Sequence, residues 1–175
     1  AQAPPAAQAR PLLHLHTRRK LSLDGPWRYI LDPYDAAKRG DNRRRTFWRD
    51  FRPPPTGPLV EYDWGASPEM VLPRDWNTHR PELLWYDGPV YFWREVRAIA
   101  ADTRHVLAFE AVNYHATVWL DDAKVAEHEG GFTPFAVDVT DRLADGRAHG
   151  LTVCADSRHP PEGIPTDYTD WQNYG

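Results

Sequence analysis

The stretch VNYHATVWLDDAKVAEHEGGFTPFAVDVT, Val112 to Thr140, alternates apolar and polar side chains with a period of two. Tyr114, Ala116, Val118 and Leu120 fall together on one side of an extended chain, which is the pattern of a half-buried strand and not of a helix. Asp121-Asp122 supplies turn residues for a tight reversal into Lys124 to His128, so a β-hairpin is predicted. Trp119, beside that turn, is expected to pack across the sheet. Gly130-Gly131 then provides the positive φ angles that a side chain would strain, and Phe135 to Val139 reads as the next strand.

The same alternation extends outward in both directions. Trp27, Tyr29 and Leu31 lie on one side of a strand whose other side carries Arg28 and Ile30, with Asp24-Gly25-Pro26 as the turn before it. Val90 to Ile99 places Phe92, Arg94, Val96 and Ala98 opposite Tyr91, Trp93, Glu95, Arg97 and Ile99. Val106 to Val112 puts Leu107, Phe109 and Ala111 on one face, and His149 to Ala155 follows a turn or short helical turn at Asp141 to Arg147. Seventeen prolines and eleven glycines interrupt the chain too often for long helices, since an interior proline costs a helix about 3 kcal/mol. Short, evenly spaced strands point to an antiparallel sandwich. Residues 33 to 68 carry little apolar periodicity and read as a surface excursion, with one short helix expected near Ala36-Ala37-Lys38.

Length and composition narrow the function. The 175 residues, 41% hydrophobic and 13% aromatic, suffice for one well-filled domain. Twenty-one Lys and Arg against twenty-five Asp and Glu leave a charge of −4, so the basic field that nucleic acid requires is missing. Arg43-Arg44-Arg45 is read as a solvated loop. No apolar run reaches the roughly 18 residues of a spanning helix, and no membrane partner is expected. Ala1 to Ala9 has the small-residue, proline-containing character of a stretch just downstream of a cleaved secretory signal; this favours a bacterial periplasmic or secreted protein, with residues 1 to 19 as a flexible tail. Cys154 sits among strand residues and is expected to be a buried, inert thiol. Glu127 and Glu129 flank His128 on a strand and are expected to be structural or solvated; His14 and His16 lack a third ligand for a metal. No catalytic residue, metal site or cofactor is assigned.

Several blocks carry a resemblance. SLDGPWRYILDP (Ser22 to Pro33), VLPRDWN (Val71 to Asn77), GPVYFWREV (Gly88 to Val96), the Val112 to Thr140 stretch and the closing DWQNYG (Asp170 to Gly175) resemble the N-terminal sugar-binding domain of glycoside hydrolase family 2, the family of β-glucuronidases and β-galactosidases. HEGGFTPF, His128 to Phe135, is nearer to the glucuronidase form. The resemblance covers Lys20 to Gly175, with residues 33 to 68 fitting loosely. It implies an all-β, antiparallel jelly-roll (galactose-binding-like) sandwich over residues 20 to 175, forming the front part of a longer exo-β-glycosidase. It further implies an immunoglobulin-like domain and a (β/α)8 barrel downstream, with both catalytic glutamates on that barrel, roughly 5 to 5.5 Å apart as retention requires.

The resemblance also implies a role for Asp170: leaving this domain to reach the mouth of the barrel and accept hydrogen bonds from sugar hydroxyls, with Trp171, Asn173 and Tyr174 beside it. An ionised carboxylate can serve two neighbouring hydroxyls. The residues alone also allow a turn-capping aspartate. Two readings from other classes stay open at this point: a stand-alone carbohydrate-binding module or lectin, for which Trp171 and Tyr174 suit a stacking platform, and a structural sandwich supporting a homo-oligomer interface. The identity of the sugar is not legible.

Overall fold

The computed structural model describes residues 18–35, 37, 63–100 and 103–159. Eight strands form within these: β1 (Gly25–Leu31), β2 (Glu69–Leu72), β3 (Pro89–Arg97), β4 (Val106–Phe109), β5 (His115–Leu120), β6 (Ala123–Glu129), β7 (Phe135–Asp138) and β8 (Ala148–Asp156). A 3-10 turn at Pro81–Leu83 and a single-turn helix α1 at Thr140–Leu143 are the helical pieces among the described residues. Six strands make one antiparallel sheet in the order β2-β1-β3-β8-β5-β6, and β4 pairs with β7 in a second.

The expected alternation decides which side of the large sheet faces the core. Trp27, Tyr29, Val90, Phe92, Val96, Ala116, Val118, Leu120, Leu151, Val153 and Ala155 join Leu107, Phe135 and Val137 of the small sheet in one buried cluster. Two sheets therefore pack face to face, each contributing every second residue. Arg94 keeps its place on the core side by laying its guanidinium 5.3 Å from the Trp27 ring centroid and donating to the Leu23 carbonyl. The opposite face holds a separate cluster of Ile30, Ala37, Trp64, Tyr91 and Cys154, with Trp93 and Trp119 packed against it. Cys154 is buried there, outside any disulfide.

Trp119 packs on the sheet, but on this outer face, half-buried, with its ring centroid 6.2 Å from that of Tyr91. It belongs to the side opposite Val118 and Leu120. The hairpin at Asp121-Asp122 forms as expected, and Asp121 takes the left-handed conformation with φ 51°. Gly130 has φ 121°, but Gly131 does not have a positive φ. Gly131 is instead glycine for space, because a β-carbon there would come within 2.5 Å of the Asn113 side-chain oxygen. The strand expected over Val106 to Val112 stops at Phe109, whose ring stacks on Phe135 at 4.6 Å. Strand β2 lies just past the stretch read as an excursion, and only its Met70 is fully buried. The Arg43-Arg44-Arg45 run, His14, His16, the residues 1 to 17 of the expected tail and all but Ala37 of the expected short helix lie outside the described residues.

Candidate functional site

Asp170, Trp171, Asn173 and Tyr174 lie outside the described residues. What the structure does describe is the root from which the chain runs on toward them, at the end of β8. Strand β8 is central: Pro89 to Arg97 pairs along one side of it and His115 to Leu120 along the other. Its last residue, Asp156, accepts the Tyr114 backbone N–H at 2.9 Å, and Tyr114 in turn accepts from Gly130 at 2.9 Å. The start of β3, the end of β8, the start of β5 and the end of β6 thus meet at one end of the sheet.

Beyond Asp156 three consecutive side chains each fasten to a different segment. Ser157 accepts from the Gly88 N–H at 3.1 Å and donates to Asp87 at 2.6 Å. His159 lies over the Tyr114 ring with centroids 4.3 Å apart. Between them, Arg158 grips two carboxylates. Its Nε donates to Asp156 Oδ1 at 2.8 Å and its Nη1 to Asp35 Oδ2 at 2.9 Å, while Nη2 is shared by Asp156 Oδ2 at 2.6 Å and Asp35 Oδ1 at 2.8 Å. The hydrogen bonds to Asp156, then those to Asp35, raise the guanidinium pKa still further, against the opposing effect of burial. Asp35 reaches this position from a turn after β1, with φ 51° and its N–H on the Asp32 carbonyl at 3.2 Å. Asp32 accepts the Ala37 N–H at 2.9 Å, which holds the turn in place.

Chemically this root is a scaffold. The carboxylates of Asp35 and Asp156 are engaged by a permanent cation, so neither is poised as a general acid. Glu127 and Glu129 are structural, as expected: Glu129 accepts from the Tyr114 hydroxyl at 3.0 Å, and Glu127 pairs with Lys124 at 2.8 Å and His115 at 3.1 Å. The hydrogen bond from Lys124 holds the Glu127 carboxyl below the usual range, with burial opposing it; a general acid at neutral pH needs the reverse. His128 points to Thr133, 2.8 Å away, and stacks on Phe135. Among the described residues no group of three or more His, Cys, Asp or Glu could hold a metal ion.

Arg158, Asp35 and Ser157 went unread in the sequence. The Asp156 to Arg158 pairing is a local signal, but Asp35 is 123 positions away from its partner and no spacing rule connects them.

Known proteins resemble this chain in the same region. The family model described as glycosyl hydrolase 2 galactose-binding domain-like matches residues 76–162. A β-glucuronidase of Canis lupus familiaris is 29% identical over 158 residues, which cover 85% of this chain and 23% of that protein. The Rattus norvegicus β-glucuronidase is 30% identical over 152 residues, covering 82% and 22%. Among solved structures, Faecalibacterium prausnitzii β-glucuronidase matches with a TM-score of 0.66 and 32% identity, over 93% of this chain and 25% of its own. Bifidobacterium dentium β-glucuronidase complexed with coumarin-3-O-glucuronide matches with a TM-score of 0.62 and 28% identity, over 82% and 21%. The chain therefore spans a fifth to a quarter of the length of these relatives.

Proposed function

Because residues 76–162 match the family model described as glycosyl hydrolase 2 galactose-binding domain-like, we propose that the chain is the sandwich domain of a retaining exo-β-glycosidase acting on β-glucuronides. The observation that supports this reading best is the alignment of 82 to 85% of the chain with only 22 to 23% of proteins named β-glucuronidase. In such an arrangement the reacting pair of glutamates belongs to a barrel elsewhere in the same polypeptide, and this module supports that barrel. The described residues are consistent with the division of labour: the carboxylates of Asp35, Asp156, Glu127 and Glu129 are tied into ion pairs and hydrogen bonds that hold strands and loops together. Asp170, with Trp171, Asn173 and Tyr174, is proposed to serve the sugar rather than the scissile bond, accepting from ring hydroxyls as a carboxylate.

The test is steady-state hydrolysis of an aryl β-glucuronide by the full-length enzyme, with the matching β-galactoside as the competitor substrate. The glucuronide is expected to be preferred and the anomeric configuration retained. Asp170→Ala should lower kcat/KM by the loss of one or two charged hydrogen bonds, ~1.5–3 kcal/mol, or about tenfold to a few hundredfold. Its melting temperature should stay near wild type. Equal kcat/KM would remove Asp170 from the sugar site, and a large fall in melting temperature would favour the turn-capping role. Purified residues 1 to 175 alone should show no turnover, since neither glutamate is assigned to them.

A further inference from the structure

The two ends of the large sheet carry different surfaces. Leu31 pairs with Val90, Pro89 with Asp156, and His115 with both Asp156 and Glu129, so the end of β1, the start of β3, the end of β8, the start of β5 and the end of β6 form one rim. Three aromatic side chains stand on it: Tyr34 three residues after Leu31, Trp85 four before Pro89 and Phe132 three after Glu129. They are 74%, 75% and 75% exposed, and among the described residues no other Phe, Trp or Tyr lies in the exposed class. The turns at the opposite end carry charge instead, in the ion pairs of Arg147 with Asp121 and Asp145. Buried aromatic anchors are what a protein interface uses for most of its affinity.

We propose that Tyr34, Trp85 and Phe132 are the seat of an interdomain contact, over which an apolar, uncharged surface of the following part of the same polypeptide packs. The proposal rests on the reading of this chain as one domain of a longer glycosidase and adds to it the face on which the rest is carried. Three observations choose this occupant. From β1 to β6 the rim spans four strand spacings, about 19 Å, which is the reach of a macromolecular face and not of a pocket for one sugar ring. The polar groups of the rim are engaged with each other, Arg158 with Asp35 and Asp156, Ser157 with Asp87, and Tyr114 with Glu129; a sugar pocket needs converging polar groups, whereas paired charges leave a covering protein no uncompensated charge to bury. Finally, β8 ends on this rim and Ser157 and Arg158 are fastened there, so the chain that follows starts from it. The chain aligns with only 22 to 23% of the β-glucuronidases it resembles, and a further domain tethered at the rim meets it at a higher effective concentration than a free partner does.

The experiment is hydroxyl-radical footprinting of the unmodified full-length enzyme, read by mass spectrometry against the same enzyme in urea. Trp85 and Phe132 are expected to lose their reactivity to the level of the buried Trp76, while Leu21, 61% exposed, stays reactive. A photo-reactive benzoylphenylalanine in place of Trp85 or of Phe132 identifies what covers them. Cross-links within one polypeptide to residues beyond Gly175 are the expected result. Full reactivity of Trp85 and Phe132 would overturn the proposal, as would cross-links confined to residues 1 to 175. A cross-linked species of twice the mass would assign the rim to a second copy, and protection that appears only on adding a glucuronide would assign it to sugar; either result overturns the proposal as well. Turnover of 4-nitrophenyl β-D-glucuronide by the unmodified enzyme is measured beside the footprint. Its absence with protected rings would remove the glucuronidase reading and leave the seat standing, whereas turnover with reactive rings would remove the seat alone.

Discussion

Strand β8 is fastened at both ends by ionic clamps that differ in one respect. At its beginning, His149 lies between two carboxylates, with Nδ1 2.7 Å from Asp121 Oδ2 and Nε2 2.8 Å from Asp145 Oδ1. Arg147 joins the same two aspartates from the surface. At its end, Arg158 does the equivalent with Asp156 and Asp35. Both devices tie a strand terminus to a turn contributed by a distant part of the chain. The difference is the cation. Arginine is charged at every accessible pH, whereas histidine can donate to both carboxylates only when both ring nitrogens carry protons. One end of the strand is therefore held unconditionally, and the other only while an imidazolium persists.

The largest expected effect tests whether either clamp matters beside the strand between them. Leu151 is fully buried in the middle of β8, and Leu151→Ala should cost ~2–5 kcal/mol by urea denaturation. If it costs no more than the clamp variants, the ends and not the core hold this strand. Next comes Arg158→Ala, which strands the buried Asp156 carboxylate. Breaking a fully buried pair costs ~3–5 kcal/mol, but the guanidinium is 40% exposed and water replaces part of the loss, so about 2 kcal/mol is expected. This loss should be the same at pH 6 and pH 9.

The histidine end should behave otherwise. Burial pulls the His149 pKa down, but the hydrogen bonds and charges of Asp121 and Asp145 outweigh it and the net shift is upward. A group whose folded pKa is raised contributes stability that is fully present below its unfolded value near 6.5 and fades as pH rises through the folded value. The destabilisation by His149→Gln, about 1 kcal/mol for a partly screened cluster, should thus shrink on going from pH 6 to pH 9. A constant difference would show that the imidazole acts by packing. On the acid side the hydrogen bond from His149 holds the Asp145 carboxyl down at about 2, against the opposing effect of desolvation. Its contribution is present above the ordinary carboxylate range and is lost as pH falls toward that value. The smallest effect is assigned to Arg147→Ala, whose side chain is 65% exposed: the melting temperature should not move, and a clear drop would mean that the surface arginine and not the histidine carries this clamp.

How much of this was legible depends on the range over which each signal acts. The β5 and β6 hairpin could be read because alternation and turn chemistry are local, and Tyr114, Ala116, Val118 and Leu120 are all buried as their spacing demands. The two faces of β1 and β3 followed for the same reason. Strand β2 escaped because four residues between Pro68 and Pro73, with a single fully buried side chain, offer no period to detect. Trp119 shows the limit of alternation: it tells which residues share a face, but not how much the outer face is covered. Gly131 was correctly a glycine position for a different reason, since a clash with Asn113 is a tertiary fact. The Arg158 clamp could not be read at all, because its second carboxylate comes from the far end of the domain. The residues proposed to meet the sugar, Asp170, Trp171, Asn173 and Tyr174, were assigned through resemblance alone and lie outside the described residues.

The place of β8 also has a consequence for how the domain is made. Among the described residues it is the last strand, and yet it sits between β3 and β5 in the sheet. During synthesis the β2-β1-β3 set and the β5-β6 hairpin emerge as two half-sheets whose facing edges have no partner until residues 148 to 156 leave the ribosome. Closure then depends on pairings between residues far apart in sequence, which slows folding, and open apolar edges are templates for the wrong strand while they wait. A nascent chain halted before Ala148 should be the species that chaperones capture, and one released after Ser157 should not.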